Sequence, residues 1–420
     1  MISVVRGMRD LHGNELAAWQ QAEDVIRATT AAFGYSEYRT PILEFTELFK
    51  RGVGTDTDIV GKEMYTFEDR GGDSLTLRPE MTAPIVRAAI ENNLVRHSPT
   101  TRLWYLGPLF RYERPQKGRY RQFHQFGAEC LGSAHPEADA EIILLAMETL
   151  AGIGISSFRL EVNTLGSPES RAAYRAELVA YLSSNIDALS ADSVRRLDTN
   201  PLRILDSKDP ADAEVVKGAP RLYDYLDDDS KAHFGAVCGI LDSAGIPYTV
   251  NHRMVRGLDY YSHTVFEIVT DALGSQNAIC GGGRYDPLFA ILGGTATPAV
   301  GFSIGMERVM LLLEAEHGGW TPAAGPDVFL CCASDAARLP SQLLALRLRR
   351  AGLSVVTDVL RRSVKAQVRE ADKLSAQLMV TLGDDEMERQ EVVVKHMASR
   401  EQRSVPLAAL VDEVMKDLKA

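Results

Sequence analysis

Apolar positions recur with two different periods along the first 150 residues. In "ELAAWQQAEDVIRATTAAFG" they fall three and four apart and stop at Gly34, which predicts an amphipathic helix with a glycine C-cap. "YSEYRTPILE" follows as an extended segment in which Pro41 favours an edge or a bend. "DSLTLRPE" alternates Leu75 and Leu77 with polar neighbours, so it reads as a strand, and Pro79 then opens a helix through "MTAPIVRAAIENN". "LWYLGPLF" and "RQFHQFGAECLG" are both strand-like. Between them the polar "ERPQKGRY", with Pro115 and Gly118, predicts a long hairpin loop.

From about residue 168 to 245 the pattern is helical, polar and acidic, without strand signals, which reads as a helical insertion in the first domain. "RGLDYYSHTVFEIVTD" and "PAVGF" then return to strand composition. "HGGWTPAAGPD" is a Gly/Pro/Ala linker. Beyond it come strand "DVFLCCAS", helix "LPSQLLALRLRRAG", strand "LSVVTDV", helix "SVKAQVREADKLS", strands "AQLMVTLG" and "EVVVKHM", and a last helix. That alternation predicts a separate small α/β domain. The domain reading is therefore 1–318 with its insertion, a linker over 319–326, and 327–420.

The chain's 420 residues, 45% apolar and 25% charged, suit a soluble protein of two or three domains. "MISVVRGMRD" carries charge where a signal peptide needs an apolar core, and no apolar run reaches membrane-spanning length. The five cysteines show no CxxC spacing and no histidine partners at zinc-site intervals, which favours reduced thiols and the cytoplasm. One feature changes this bland picture. The net charge is −11, yet Arg111, Arg114, Lys117, Arg119 and Arg121 place five cations in eleven residues. Positive charge kept this local fits an anionic partner, nucleic acid included.

Strand parity sorts the flanks of that segment. On the first strand Tyr105, Gly107 and Arg111 share a face, and on the second Phe123, Gln125, Gly127 and Glu129 share a face. Glycines beside Arg, Gln and Glu make an open polar floor; the alternative is a solvated hairpin with a charged tip. Further polar groups stand in "LTLRPE" (Arg78, Glu80), "VRGLDYYSHTVFE" (Arg256, Asp259, Tyr260, Tyr261), "CGGGRYD" (Arg284, Asp286) and "AVGFSIGMER" (Glu307, Arg308). Each has a structural reading: an Arg256–Asp259 ion pair, a tight glycine turn, a surface cation at Arg308.

Together these segments resemble the class II histidyl-tRNA synthetase family. "FRYERPQKGRYRQFHQFGAE" is similar to motif 2 of that class, "AVGFSIGMERVMLLL" to motif 3 and "AFGYSEYRTPILE" to the dimer-forming motif 1. "RGLDYYSHTVFE" and "GGGRYD" resemble the two peptides that mark histidine-specific members. The resemblance covers nearly the whole chain. It implies an α+β fold: an antiparallel sheet flanked by helices, with the helical insertion and a C-terminal α/β anticodon-binding domain.

Function and roles follow as expectations of the resemblance. Histidine is activated with ATP and passed to tRNA(His) by a cytoplasmic homodimer without membrane contact. Arg111 and Arg256 serve the α-phosphate and the reacting carboxylate, two anions that need positive charge and alignment more than a general base. Arg111, Glu113 and Arg308 hold the nucleotide, Arg308 towards the γ-phosphate, and Mg2+ rides on the phosphates, held mainly by ATP itself, with no metal site in the protein. Glu80, Thr82, Gln125 and Glu129, with Arg111 and Arg256, surround the amino acid, and Tyr260 and Tyr261 close over its imidazole. Arg114 and Gln116 approach the acceptor end of tRNA, with Lys117 and Arg119 offering phosphate contacts. Arg361, Arg362, Lys365 and Arg369 are read as anticodon-stem contacts or as a solvated helix face. Met81 departs from the family's common glycine and adds bulk near the pocket; Ser303 and Met306 fall at variable places.

Two decoys fail on context. "GFSIG" fits the G-x-S-x-G nucleophile elbow, but the upstream oxyanion peptide is missing and no acid is placed to orient His317 or His396. "GTDTDIVGK" has six residues between its glycines and no Ser/Thr after Lys62, so it is not a P-loop. The remaining alternative is a catalytically silent relative acting as a regulatory subunit of histidine biosynthesis. Such relatives tend to lose residues like Arg111, Gln125, Glu129, Arg256 and Arg308 and the C-terminal domain, all of which this chain carries.

Overall fold

The computed structural model describes residues 2–54, 57–255, 260–273, 277–320 and 324–419. The chain divides into two compact units, Met1–Thr321 and Pro322–Ala420. The described strands of the first unit are β1 (Ser36–Glu37), β2 (Leu43–Phe45), β3 (Tyr65–Glu68), β4 (Ser74–Leu77), β5 (Thr101–Phe110), β6 (Gln122–Leu131), β7 (Arg159–Thr164), β8 (Tyr248–Val250), β9 (Ser262–Val269), β10 (Ala278–Arg284) and β11 (Ala299–Gly305). Eight of them form one sheet in the order β1-β5-β6-β11-β10-β9-β7-β8; β2, β4 and β3 form a second, small one. Within the large sheet only the outermost pairs, β1 with β5 and β7 with β8, run parallel. This is the mostly antiparallel, helix-flanked α+β sheet that the sequence predicted.

The two-residue period gives the large sheet two unlike faces. Trp104 on β5, Phe126, Ala128 and Cys130 on β6, and Val300 and Ile304 on β11 point into an apolar core. The helices Gly13–Ala32, Pro136–Ile153, Asp228–Ser243 and Met306–His317 complete that core. The Pro136 helix is buried through Ile142, Ile143, Leu145, Ala146 and Leu150, which is why "IILLAM" reads apolar nearly all round. Each of these Ile and Leu side chains contributes about 1.5–3 kcal/mol by leaving water. Gly127, Glu129, Gly301 and Gly281 turn to the other face.

The helical segment between β7 and β8 is divided by its packing. Tyr174, Leu178 and Leu182 of helix Pro168–Ser184, with Leu226, join the cluster that holds Tyr260 and Tyr261. Helix Asp228–Ser243 instead lays Phe234, Val237 and Leu241 on the opposite, helix-covered face. Topology requires this: β7 and β8 are parallel, so the chain must cross over the sheet, and this last helix is the crossover. A purely helical pattern cannot reveal which of its helices belongs to the sheet. A smaller difference lies at Pro79, which stands three residues before the helix Thr82–Glu91 and not at its first turn.

In the second unit, β12 (Val328–Cys332), β13 (Val355–Thr357), β14 (Leu378–Leu382), β15 (Glu391–His396) and β16 (Gln402–Pro406) are ordered β13-β12-β14-β15-β16. The first three are parallel and the last two antiparallel additions. Helices Arg338–Arg350, Val364–Lys373 and Leu410–Asp417 accompany them. Strand β16 carried no periodic signal, because only Val405 of its five residues is buried. Among the described residues no helix is long and apolar enough to cross a membrane.

Candidate active site

The second face of the large sheet opens on a cavity of about 380 Å³. Its floor depends on glycine. A Cβ at Gly301 would stand 1.6 Å from Glu129 Oε2, and one at Gly127 would stand 2.3 Å from the Tyr105 hydroxyl. Removing both leaves room for the Glu129 carboxylate to lie along the sheet. Glu129 Oε1 accepts hydrogen bonds from the Thr82 hydroxyl at 2.9 Å and the Tyr105 hydroxyl at 3.3 Å; Oε2 accepts one from the Tyr285 hydroxyl at 2.6 Å. Burial pushes this carboxyl up to about 8 against the pull of those donors.

Glu80 lies beside it, 4% exposed. Its two oxygens accept the backbone N–H groups of Thr82 and Ala83, both at 2.8 Å, and so cap the first turn of the Thr82 helix. Burial outweighs these bonds and pushes Glu80 up to about 7. Tyr260 and Tyr261 are buried in the same wall, their rings 4.9 Å apart. Gln125 lines the cavity, and so does the buried Met81, whose bulk therefore does face the pocket.

A second cleft of about 190 Å³ adjoins the first, and Arg111, Glu113, Arg119, Gln125, Gly281 and Ser303 line both. Arg111 is steered by its Nε–H bond to the Pro79 carbonyl at 2.9 Å and by the Phe123 ring 5.3 Å away. Glu113 sits 3.0 Å from Arg119 and 3.9 Å from Arg111. Arg308 closes the far end and donates to the Ala278 carbonyl; burial, then the neighbouring Arg119, weakens its hold on its proton. Its neighbour Glu307 is engaged by the backbone N–H and the ring of His124. No group of three or more His, Cys, Asp or Glu placed to hold a metal occurs among the described residues.

The hairpin tip separates residues that looked alike in sequence. Gln116 and Arg119 exchange backbone hydrogen bonds at 2.9 and 3.1 Å across a turn whose Gly118 has φ +75°. That reversal leaves Arg114, Gln116 and Lys117 exposed and turns Arg119 towards Glu113, where it lines the cleft. In the second unit, Arg362 is taken out of the proposed basic face. It is held by Asp358 at 2.6 Å and Glu370 at 3.1 Å, while Arg361, Lys365 and Arg369 stay exposed. Arg256 and Asp259 lie outside the described residues.

Two cations of the sequence clusters prove to be structural. Arg78 donates to the carbonyls of Pro108, Thr40 and Pro41, and Arg284 is paired with the fully buried Asp139. Conversely, Tyr285 and Arg203 line the pocket without having been singled out, beside Tyr105, which strand parity had placed. The register adds that Tyr105 pairs with Gly127 across the hairpin and so shares the face of Glu129. Tyr285 was hidden between Arg284 and Asp286, and Arg203 comes from the helical segment, whose docking no local pattern records.

A mostly antiparallel sheet that sets an arginine-lined cleft against a buried acidic pocket, with a separate α/β unit, defines a class II aminoacyl-tRNA synthetase. A family model described as histidyl-tRNA synthetase matches residues 7–309, and one described as an anticodon binding domain matches 327–417. The chain belongs to the histidyl-tRNA synthetase family. An apo histidyl-tRNA synthetase from S. aureus is 35% identical, with 99% of this chain and 100% of that one covered at a TM-score of 0.84. Two more distant structures bear on the fold alone. A histidyl-tRNA synthetase from a Nostoc species is 21% identical, covers 100% of both chains and has a TM-score of 0.71. A Bacillus halodurans protein titled an ATP phosphoribosyltransferase regulatory subunit/histidyl-tRNA synthetase is 24% identical, with 91% of this chain and 98% of that one covered at 0.65.

Proposed function

We propose that this chain is a histidine–tRNA ligase that forms histidyl-adenylate from L-histidine and ATP, then transfers histidine to the 3′-terminal adenosine of tRNA(His). The observation that carries the reading is the junction of two unlike sites at Arg111: a pocket with two buried acids, Glu80 and Glu129, and a cleft lined by guanidinium groups. The α-ammonium group of histidine supplies the positive charge that Glu80 lacks, and Glu129 accepts from the imidazole ring. The substrate carboxylate is then directed at the shared wall, where Arg111 offsets the charge of carboxylate and α-phosphate as they approach. Arg256 is assigned the second cation there. Glu113 and Arg308 hold the nucleotide, joined by Arg119, and Mg2+ arrives on the ATP phosphates. Lys117 and Arg114, on the exposed tip, meet the acceptor end of tRNA.

We further propose a cytoplasmic homodimer formed through motif 1, whose end leaves Ile42 and Leu43 exposed, with Phe45 exposed just beyond it. The deciding experiment is amino-acid-dependent ATP–pyrophosphate exchange over all twenty amino acids without tRNA. Exchange with histidine alone is the expected outcome. Exchange with a different amino acid keeps the class and overturns the specificity; no exchange from a protein that binds histidine turns the assignment to a regulatory subunit. Arg256→Ala should cripple exchange while leaving the fold intact, and full activity in that variant would remove its assigned role.

A further inference from the structure

Tyr285 has been given no role so far, yet it makes the shortest of the hydroxyl contacts to Glu129. A carboxylate offers about four lone-pair positions. Thr82 and Tyr105 use two on Oε1 and Tyr285 one on Oε2, so the remaining acceptor position is on the oxygen that Tyr285 holds. That oxygen also lies where a Cβ of residue 301 would have been.

Tyr285 itself is anchored from both sides. Before it, Arg284 is clamped by Asp139 and by the Ser133 carbonyl at 2.8 Å. After it, Asp286 accepts the Ala299 N–H at 2.9 Å, while the Tyr285 N–H bonds the Ala299 carbonyl at 2.8 Å. Its ring, 1% exposed, meets Tyr260 edge-on at 5.8 Å. Three consecutive residues thus tie a structural ion pair on one side of the sheet to the direction of an acid on the other.

We infer that Tyr285 is a positioning residue: its hydroxyl holds Glu129 as a hydrogen-bond acceptor aimed at a ring N–H of the bound amino acid, and thereby sets the pocket's selectivity. This rests on the proposed histidine activation. The titratable groups acting at Glu129 include Glu80, Tyr105, Tyr260 and Tyr285; Arg111, Arg119 and Arg203 line the same cavity, but among the described residues no ion pair is formed with Glu129. Burial drives Glu129 upward to about 8, and the Tyr285 hydrogen bond is first among the contacts that draw it back. Without that hydroxyl the carboxyl keeps its proton to higher pH. It then presents an O–H where the ring presents an N–H, and two donors meet. The defect is therefore largest at low pH and fades as pH rises and the carboxyl ionises.

The test is Tyr285→Phe in histidine-dependent ATP–pyrophosphate exchange between pH 7 and 9, read as the ratio of variant to wild-type KM so that titration of histidine itself cancels. The expected result is a KM for histidine raised roughly tenfold or more at pH 7. The ratio should shrink towards pH 9, with kcat within about twofold and the KM for ATP unchanged. A ratio that is constant with pH, or no rise at all, overturns the inference. Should Tyr285→Phe fail to fold, Tyr105→Phe removes the longer bond on the other oxygen; it should raise KM less, with the same pH trend, and a flat ratio there overturns the inference equally. Wild-type protein that shows no exchange with histidine would instead overturn the proposed function.

Discussion

Asp139 and Glu129 are both fully buried carboxylates, one on each side of the large sheet, and the protein treats them in opposite ways. Burial raises Asp139, but His233 at 3.4 Å and the paired Arg284 more than offset it and hold it below the ordinary range. Glu129 receives hydroxyl groups and stays up at about 8; Glu80 receives backbone N–H groups, with Arg111 and the Thr82 hydroxyl pulling less, and stays at about 7. The first acid has its cation inside the protein and is part of the architecture. The other two are hydrogen-bonded by neutral donors and form no ion pair among the described residues, so burial keeps both raised and leaves a demand on whatever enters the pocket. Two buried acids with closely similar exposure can thus be told apart by what neutralises them.

The strongest way to break this comparison is to orphan the structural acid. Arg284→Ala should lower stability by about 3–5 kcal/mol in urea unfolding, because Asp139 is left buried without its main cation. A loss below about 1 kcal/mol would mean that the pair is not what holds this region. Glu129→Gln should do the reverse: the KM for histidine rises about 100-fold while the melting temperature is unchanged or higher, since an amide needs no counter-charge. A variant that binds histidine normally would show that the acid's demand is not for this ligand.

A subtler effect is the pH dependence of stability. The folded-state values of Glu80 and Glu129 lie above the unfolded value near 4.3. Between that value and about 7 to 8 the folded protein binds more protons than the unfolded one, so these two groups make stability fall as pH rises through the window. Melting curves from pH 5.5 to 8.5 should show a shallower fall in Glu129→Gln, by on the order of 1 kcal/mol per pH unit below about 8. Identical slopes would remove Glu129 from the pair. The smallest effect belongs to a charge that is exposed and free to meet solvent. Lys117→Ala should leave histidine activation untouched, weaken tRNA charging a few-fold and lower its salt slope by about one. Equal loss in both half-reactions would take the tip away from tRNA.

Much of the site was legible because β-strands alternate. Gln125, Gly127 and Glu129 could be put on one face from parity alone, and the register of β5 with β6 adds Tyr105 to it. Charge was legible as composition but not as role. Arg78, Arg111, Arg284 and Arg308 look equivalent in sequence, yet Arg78 and Arg284 serve carbonyls and Asp139 while the other two line the cleft. Arg119 and Arg362 each have a nearby acid partner for the same reason: a tight turn or a close carboxylate redirects a guanidinium, and neither is visible to a count of cations.

The sequence by itself determined the class of fold, the family and the face on which the chemistry sits, because periodicity and motif spacing are local properties of the chain. Tertiary structure alone decided which buried charges are satisfied. Residues 139 and 284, or 129 and 285, are brought together only when distant strands and helices pack. It also decided that the last helix before β8 belongs to the sheet, since a parallel pair of strands forces the chain across it. Whether a buried charge serves structure or substrate depends on its partner, and partners here are set by packing across the sheet.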